Sequence, residues 1–228
     1  MTTYVLLHGA GSDSSYWHLA APLLRERGHD VVTPDLPCDD DAAGIPDYAA
    51  AVIDAVGDRT GVILVAQSMA AFTVPFVCER VTVDLVVLVA AMAPLAGESP
   101  GEWWDDTGQA EAKRALAERE DRPDTDDPVA MFLHDVPADV AAESANHVRM
   151  QSATPFRAPL PMPPWPAVPT RFLLCRHDRF FPADFQRRVV QERLGITPDE
   201  MDGGHLPALS RPLELVERLE GYRAAEAR

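Results

Sequence analysis

The sequence predicts an α/β fold: a mostly parallel sheet of about six strands flanked by helices, with a helical cap inserted before the fifth strand. Three observations point there. Short aliphatic runs alternate with amphipathic stretches, as in a parallel sheet covered on both faces by helices. The chain has 228 residues, enough for one large domain with a full core. The alternation breaks once, over residues 95–168, where acidic helical stretches and a proline-rich run replace it.

In chain order, the first strand is expected at 3–7 (TYVLL), followed by a helix near 16–27 and a second strand at 30–34 (DVVTP). A helix near 47–57 leads to the aliphatic run at 61–66 (GVILVA), then a helix near 69–80 and a strand at 84–90 (DLVVLVA). Pro75 lies beyond the first turn of that third helix and predicts a kink. After the insertion come a strand at 170–175 (TRFLLC), a helix near 183–194, a strand at 197–201 and a closing helix near 210–225. Residues 1–94 and 169–228 would form the core and 95–168 the cap. In the cap, "GEWWDDTG" precedes helical stretches around "QAEAKRALAERE" and "PADVAAESANHVRMQS". The run "PLPMPPWPAVP" is expected to return the chain in extended form.

Charge removes one class of partner. The net charge of −16 comes from 36 acidic against 20 basic residues, and Lys113 is the only lysine. Such a field repels nucleic acid and anionic membrane surfaces. Cys38, Cys78 and Cys175 form no CxxC pair and read as small hydrophobes. The N-terminus carries no basic leader, and no apolar run approaches bilayer length, so a soluble, cytoplasmic protein is expected. No HExxH or paired Cys/His spacing suggests a metal, and no cofactor is implied.

The most informative stretch is "VILVAQSMAAF", residues 62–72. A serine between a buried strand and the next helix is lifted to the C-terminal edge of the sheet, on a turn so tight that residues two away on either side must be small. Ala66 and Ala70 meet that condition around Ser68. The pattern is an alanine-flanked form of the GxSxG nucleophile elbow. A serine hydroxyl needs a base, and histidine suits that task near neutral pH. His205, after the flexible Gly203-Gly204, is the candidate base. Asp178, following the "FLLC" strand, emerges at the same sheet edge and is the candidate acid; a salt bridge to a neighbouring arginine is its structural alternative. Asp202 competes but shares the loop of His205, from which it cannot easily orient that ring.

The motifs "YVLLHGAGSDSSYW", "GHDVVTPDLP", "VAQSMAAF", "LLCRHDRFFP" and "MDGGHLPALSRP", in this order, make the chain resemble the α/β-hydrolases, in particular the plant-type methylesterase and hydroxynitrile-lyase branch. The resemblance implies a serine hydrolase acting on a small-molecule ester, and an oxyanion hole built from the backbone N–H groups of Ala10 and Met69. It also implies a structural role for His8. The lyase members of that branch carry threonine where Gly9 stands and lysine where Leu206 stands, which favours the esterase side. A receptor, lyase or cyclase role on the same fold is the alternative. A more distant rival is a dinucleotide-binding oxidoreductase, suggested by "GAGSDSS" and Asp35, but Ser14 occupies the place of its third glycine. The substrate pocket is expected between Gly9, Ala10 and Met69 below and Trp103, Trp104, Met131 and Phe132 above, with Leu206 beside the histidine. One of the two adjacent tryptophans should anchor the cap instead. A pocket towards the lower end of the usual few hundred cubic ångströms is expected under a cap of this length.

Overall fold

Six parallel strands in the order β2-β1-β3-β4-β5-β6 form the centre of the protein, seen in a computed structural model that describes residues 2–157 and 162–226. The strands are β1 (Thr3–Leu7), β2 (Asp30–Val32), β3 (Val62–Gln67), β4 (Val83–Val89), β5 (Thr170–Cys175) and β6 (Asp199–Met201). The sheet is wholly parallel. Its side chains alternate between two cores, as a period of two requires. Val5, Leu7, Leu64, Ala66, Val86, Leu88, Phe172 and Leu174 face one core. Tyr4, Leu6, Ile63, Val65, Val87, Val89, Leu173 and Cys175 face the other. Because both faces are covered, the strands read as unbroken apolar runs.

The helices divide accordingly. On the second face lie α1 (Ala20–Glu26) and, at the chain's end, α10 (Pro207–Ser210) and α11 (Pro212–Glu226). On the first lie α2 (Ile45–Val56), α3 (Val74–Cys78) and, after the insertion, α9 (Ala183–Leu194). Two predicted helices begin with 3-10 turns, at Ser14–Trp17 and Ser68–Thr73. The second of these removes the difficulty posed by Pro75. An α-helix starts anew at Val74, so the proline stands in its first turn, where the missing N–H has no partner to lose.

Between β4 and β5 the described residues form five short α-helices: α4 (Pro100–Thr107), α5 (Gln109–Arg119), α6 (Pro128–Phe132), α7 (Ala138–Ser144) and α8 (Thr154–Arg157). "GEWWDDTG" is itself helical: Ser99 caps it by accepting the Glu102 N–H while Glu102 reaches back to Ser99. The root of the insertion is tied to α9 by a buried pair, Arg193 and Glu98 at 2.6 Å, with Arg193 also donating to the Ala93 carbonyl. Part of the predicted extended proline run, residues 159–161, lies outside the described residues. Its remainder, 162–168, forms no regular element. Among the described residues no helix is long and apolar enough to cross a membrane.

Chain order reverses across β1, since β2 lies on one side of it and β3 on the other. The crevice at such a switch point, beyond the strands' carboxyl ends, is where open α/β sheets bind ligands. Gly9 and Ser68 flank it.

Candidate active site

Ser68 directly follows the last residue of β3 and adopts φ +53°. A non-glycine residue held in the left-handed region costs about 1–3 kcal/mol, which the surroundings must offset. They do so with small, buried neighbours, Ala66 and Ala70, and with a hydrogen bond from the Met92 N–H to the Ser68 carbonyl at 3.1 Å. Ala90, which directly follows β4 alongside, also has positive φ, at +43°.

The serine hydroxyl lies 3.2 Å from His205 Nε2, and His205 Nδ1 lies 2.8 Å from Asp178 Oδ2. A carboxylate only accepts, so Nδ1 carries the proton of that bond and Nε2 is left to accept from Ser68. Asp178 is fully buried, and its other oxygen takes the backbone N–H groups of Phe180 and Phe181, each at 2.8 Å. Neither neighbouring arginine pairs with it. Arg176 binds Glu200 and Asp202, and Arg179 donates to the Ala130 carbonyl. Asp202, the competing acid, is half-exposed, and its hydrogen bond with Arg176 holds its carboxyl below the ordinary range. The rings of Phe132, Phe180 and Phe181 surround the imidazole at 5.4, 5.3 and 5.0 Å between centroids.

Two side chains set the backbone around these groups. His8 is buried, which disfavours its charged form and lowers its pKa. Its Nε2 accepts the Leu36 N–H at 3.0 Å, so its Nδ1 carries the proton and donates to the Gly9 carbonyl at 2.9 Å. In a trans peptide the C=O and the following N–H point in opposite directions. Holding the Gly9 carbonyl therefore turns the Ala10 N–H away from His8, and Ala10 lines the cavity. Met69 stands second in its 3-10 helix, where backbone N–H groups have no partner within the helix. The second side chain is Gln67, which donates to the His205 carbonyl at 3.1 Å. Its amide oxygen lies so close to Gly9 that a Cβ there would sit 2.3 Å from it and 2.9 Å from Ser68 Cβ. Any larger residue at position 9 would displace the serine turn.

A cavity of about 890 Å³ opens above Ser68 and reaches the surface past exposed Val129 and Val148. This is near the top of the usual range of about 300–1,000 Å³, not the modest volume expected. The reason is on both sides: the floor consists of small residues from Gly9 to Ser12, and the short helices of the insertion enclose space instead of filling it. Gly9, Ala10, Met69, Trp104, Phe132 and Leu206 line the cavity as expected. Trp103 and Met131 do not. Trp103 is fully buried, donates its indole N–H to the Ala93 carbonyl and packs against Phe181 and Phe185, while Met131 turns inward from α6.

Sequence reading missed several contributors. Gln67, Phe180 and Phe181 adjoin the motif residues, and that adjacency was the available signal. His18 and His147, for which the sequence offers no motif, also stand in the cavity wall. His134, beside Phe132 in the insertion, bonds to the His177 carbonyl. Asp35, which suggested a ribose contact, accepts the Ser14 N–H at 2.7 Å and closes its own loop.

These features define a class of protein. The sequence matches the alpha/beta hydrolase family over residues 4–219, and the chain belongs to that family. Among characterised proteins it is 22% identical over 258 aligned positions to norfluorocurarine synthase 1 from a Strychnos species, covering 95% of this chain and 93% of that protein. Among solved structures it resembles polyneuridine aldehyde esterase, at 18% identity and a TM-score of 0.78 over 97% of this chain and 99% of the other. A pyrethroid hydrolase superposes with a TM-score of 0.78 at 21% identity, over 100% and 99% of the two chains. A methylesterase from Arabidopsis does so with 0.76 at 18%, over 98% and 99%. The fold is common to all of them.

Proposed function

We propose that the protein is a serine hydrolase cleaving apolar carboxylic esters, with Ser68 as nucleophile, His205 as base and Asp178 as the acid that orients it. The hydrogen-bonded chain from Ser68 through His205 to Asp178, facing one large cavity, carries this reading. Ser68 Oγ attacks the ester carbonyl as His205 Nε2 takes its proton. The carbonyl oxygen becomes an oxyanion, which the N–H groups of Ala10 and Met69 receive. His205 then returns the proton to the departing alcohol. Water, activated by the same imidazole, releases the acid and restores the serine. Asp178 keeps its charge throughout and stabilises the imidazolium.

The hydrolytic reading is favoured over the lyase by two positions. A threonine at position 9 has no room beside Gln67, and Leu206 offers no ammonium next to the histidine. Met92, Trp104, Phe132, Phe156 and Phe180 make much of the lining apolar, and Arg149 in the same wall is already paired with Asp39, so neutral esters with apolar bodies fit best. The test is labelling with a fluorophosphonate followed by mass spectrometry. An adduct on Ser68 that disappears in His205→Ala is the expected result. No adduct on the folded wild type, or one on another residue, would overturn the assignment.

A further inference from the structure

One short segment of the insertion, residues 132–135 at the end of α6, reaches the loops of both His205 and Asp178, while Gln109 and Ala130 bond the Asp178 loop alone. Asp135 Oδ2 accepts the backbone N–H of Gly204, one residue before His205, at 2.6 Å. His134 Nε2 lies 2.9 Å from the carbonyl of His177, one residue before Asp178. From the other side, Gln67 donates to the carbonyl of His205 itself. The backbone on either side of the His205 Cα is therefore tied, by the insertion on the N–H side and by the serine turn on the carbonyl side.

The loop needs such ties. Gly203 has φ +122°, a conformation that two consecutive glycines reach freely but do not prefer, so the path must be set from outside. Contact with Asp135 is also close enough to dictate the residue it meets. A Cβ on Gly204 would stand 2.6 Å from Asp135 Oδ1 and 2.6 Å from His134 Cε1. Asp135 itself is largely buried, its side chain 21% exposed. A bond from a backbone N–H to a carboxylate is among the stronger hydrogen bonds, and here it crosses between two parts of the chain 69 residues apart.

We propose that Asp135 is a positioning residue for the base: by accepting the Gly204 N–H it fixes the backbone path that aims His205 Nε2 at Ser68 Oγ. Seating of the insertion and alignment of the base are then one event. The inference rests on the hydrolase reading above. It asks of residue 135 only an acceptor, not a charge, because a backbone N–H is all that it receives. An asparagine can supply that acceptor, whereas an alanine cannot.

The experiment compares wild type, Asp135→Ala and Asp135→Asn in fluorophosphonate labelling rate and in kcat and KM for p-nitrophenyl butyrate, with urea denaturation of each to fix conditions where all are folded. Asp135→Ala should lower kcat and the labelling rate by about 10- to 100-fold, as a misplaced catalytic group does, with KM within about twofold. Asp135→Asn should recover most of that loss. A merely structural role would lower stability and leave kcat of the folded fraction unchanged. That result, or an asparagine variant as slow as the alanine one, would overturn the proposal. Absence of labelling in wild type would instead sink the hydrolase reading, and this inference with it.

Discussion

The floor and the roof of the cavity are built on different physical terms. The floor consists of strand ends whose positions follow from register: Leu7 pairs with Ala66, and Gln67 with Val89, so the turns that begin at His8, Ser68 and Ala90 are fixed relative to one another by sheet hydrogen bonds. The roof consists of helices such as α6 and α7, five and seven residues long. Helices so short do not hold themselves together and depend on what they rest on. Groups that must meet within a few tenths of an ångström therefore sit on the floor, and the residues that give the cavity its shape hang from the roof. Phe132 and Asp135 are where the two meet.

The largest effect expected from this division is on the floor. Asp178→Asn replaces an acceptor for the His205 Nδ1 proton by a group that can turn its own N–H towards it, favouring the wrong tautomer. As for the corresponding aspartate of trypsin, kcat for a p-nitrophenyl ester should fall by about 10⁴-fold with the fold intact. Substitution of a roof residue that only lines the cavity should cost far less. An Asp178→Asn variant keeping a tenth of wild-type kcat would erase the distinction between the two walls.

The same division explains what could be read in advance. The strands at 3–7 and 170–175 and the helix at 183–194 coincide with the observed elements, because buried parallel strands and amphipathic helices carry their environment in their composition. The juxtaposition of Ser68, Asp178 and His205 was legible because each follows closely on a strand, where sequence order fixes spatial order. The roof was not. Which of two adjacent tryptophans faces the cavity depends on how α4 is rotated over the core, and no local pattern records that. The volume was misjudged for a related reason: the length of an insertion says how much chain there is, not how far it stands from the sheet. Asp135 had no signal at all, since its partner is a backbone N–H far along the chain.

The tryptophan pair measures the comparison within a single helix. Trp103→Ala removes a fully buried indole that packs on Phe181 and Phe185, and should cost about 3–5 kcal/mol in urea denaturation. Trp104 is half-buried and lines the cavity, so Trp104→Ala should cost less than about half as much and shift KM for aromatic esters instead. Equal losses of stability would mean that the roof is as integral to the core as the sheet edge.

The smallest effect concerns acid, and it separates the core from the joint between core and roof. Glu220 on α11 accepts a hydrogen bond from the Tyr4 hydroxyl of β1 at 2.6 Å and pairs with Arg223, and His29 Nε2 lies 3.0 Å away. Burial by itself raises the carboxyl pKa, but the hydrogen bonds of Arg223 and Tyr4 and the nearby His29 outweigh it, and the value falls from 4.5 to about 2. A carboxyl whose folded pKa is depressed binds its proton more readily when unfolded, so its contribution is complete above pH 4.5 and is lost as pH falls towards 2. Its counterpart, where the roof meets the core, is Asp39 in the loop after β2, whose pair with Arg149 of the insertion is exposed and screened by solvent, and so contributes little. Denaturation midpoints between pH 5 and pH 2 should therefore fall less steeply in Glu220→Gln than in wild type, while Asp39→Asn leaves the slope almost unchanged. A flatter slope in Asp39→Asn than in Glu220→Gln would place the acid-sensitive contact at the roof, and would make the insertion, not the joint between β1 and α11, the first part of the protein that acid loosens.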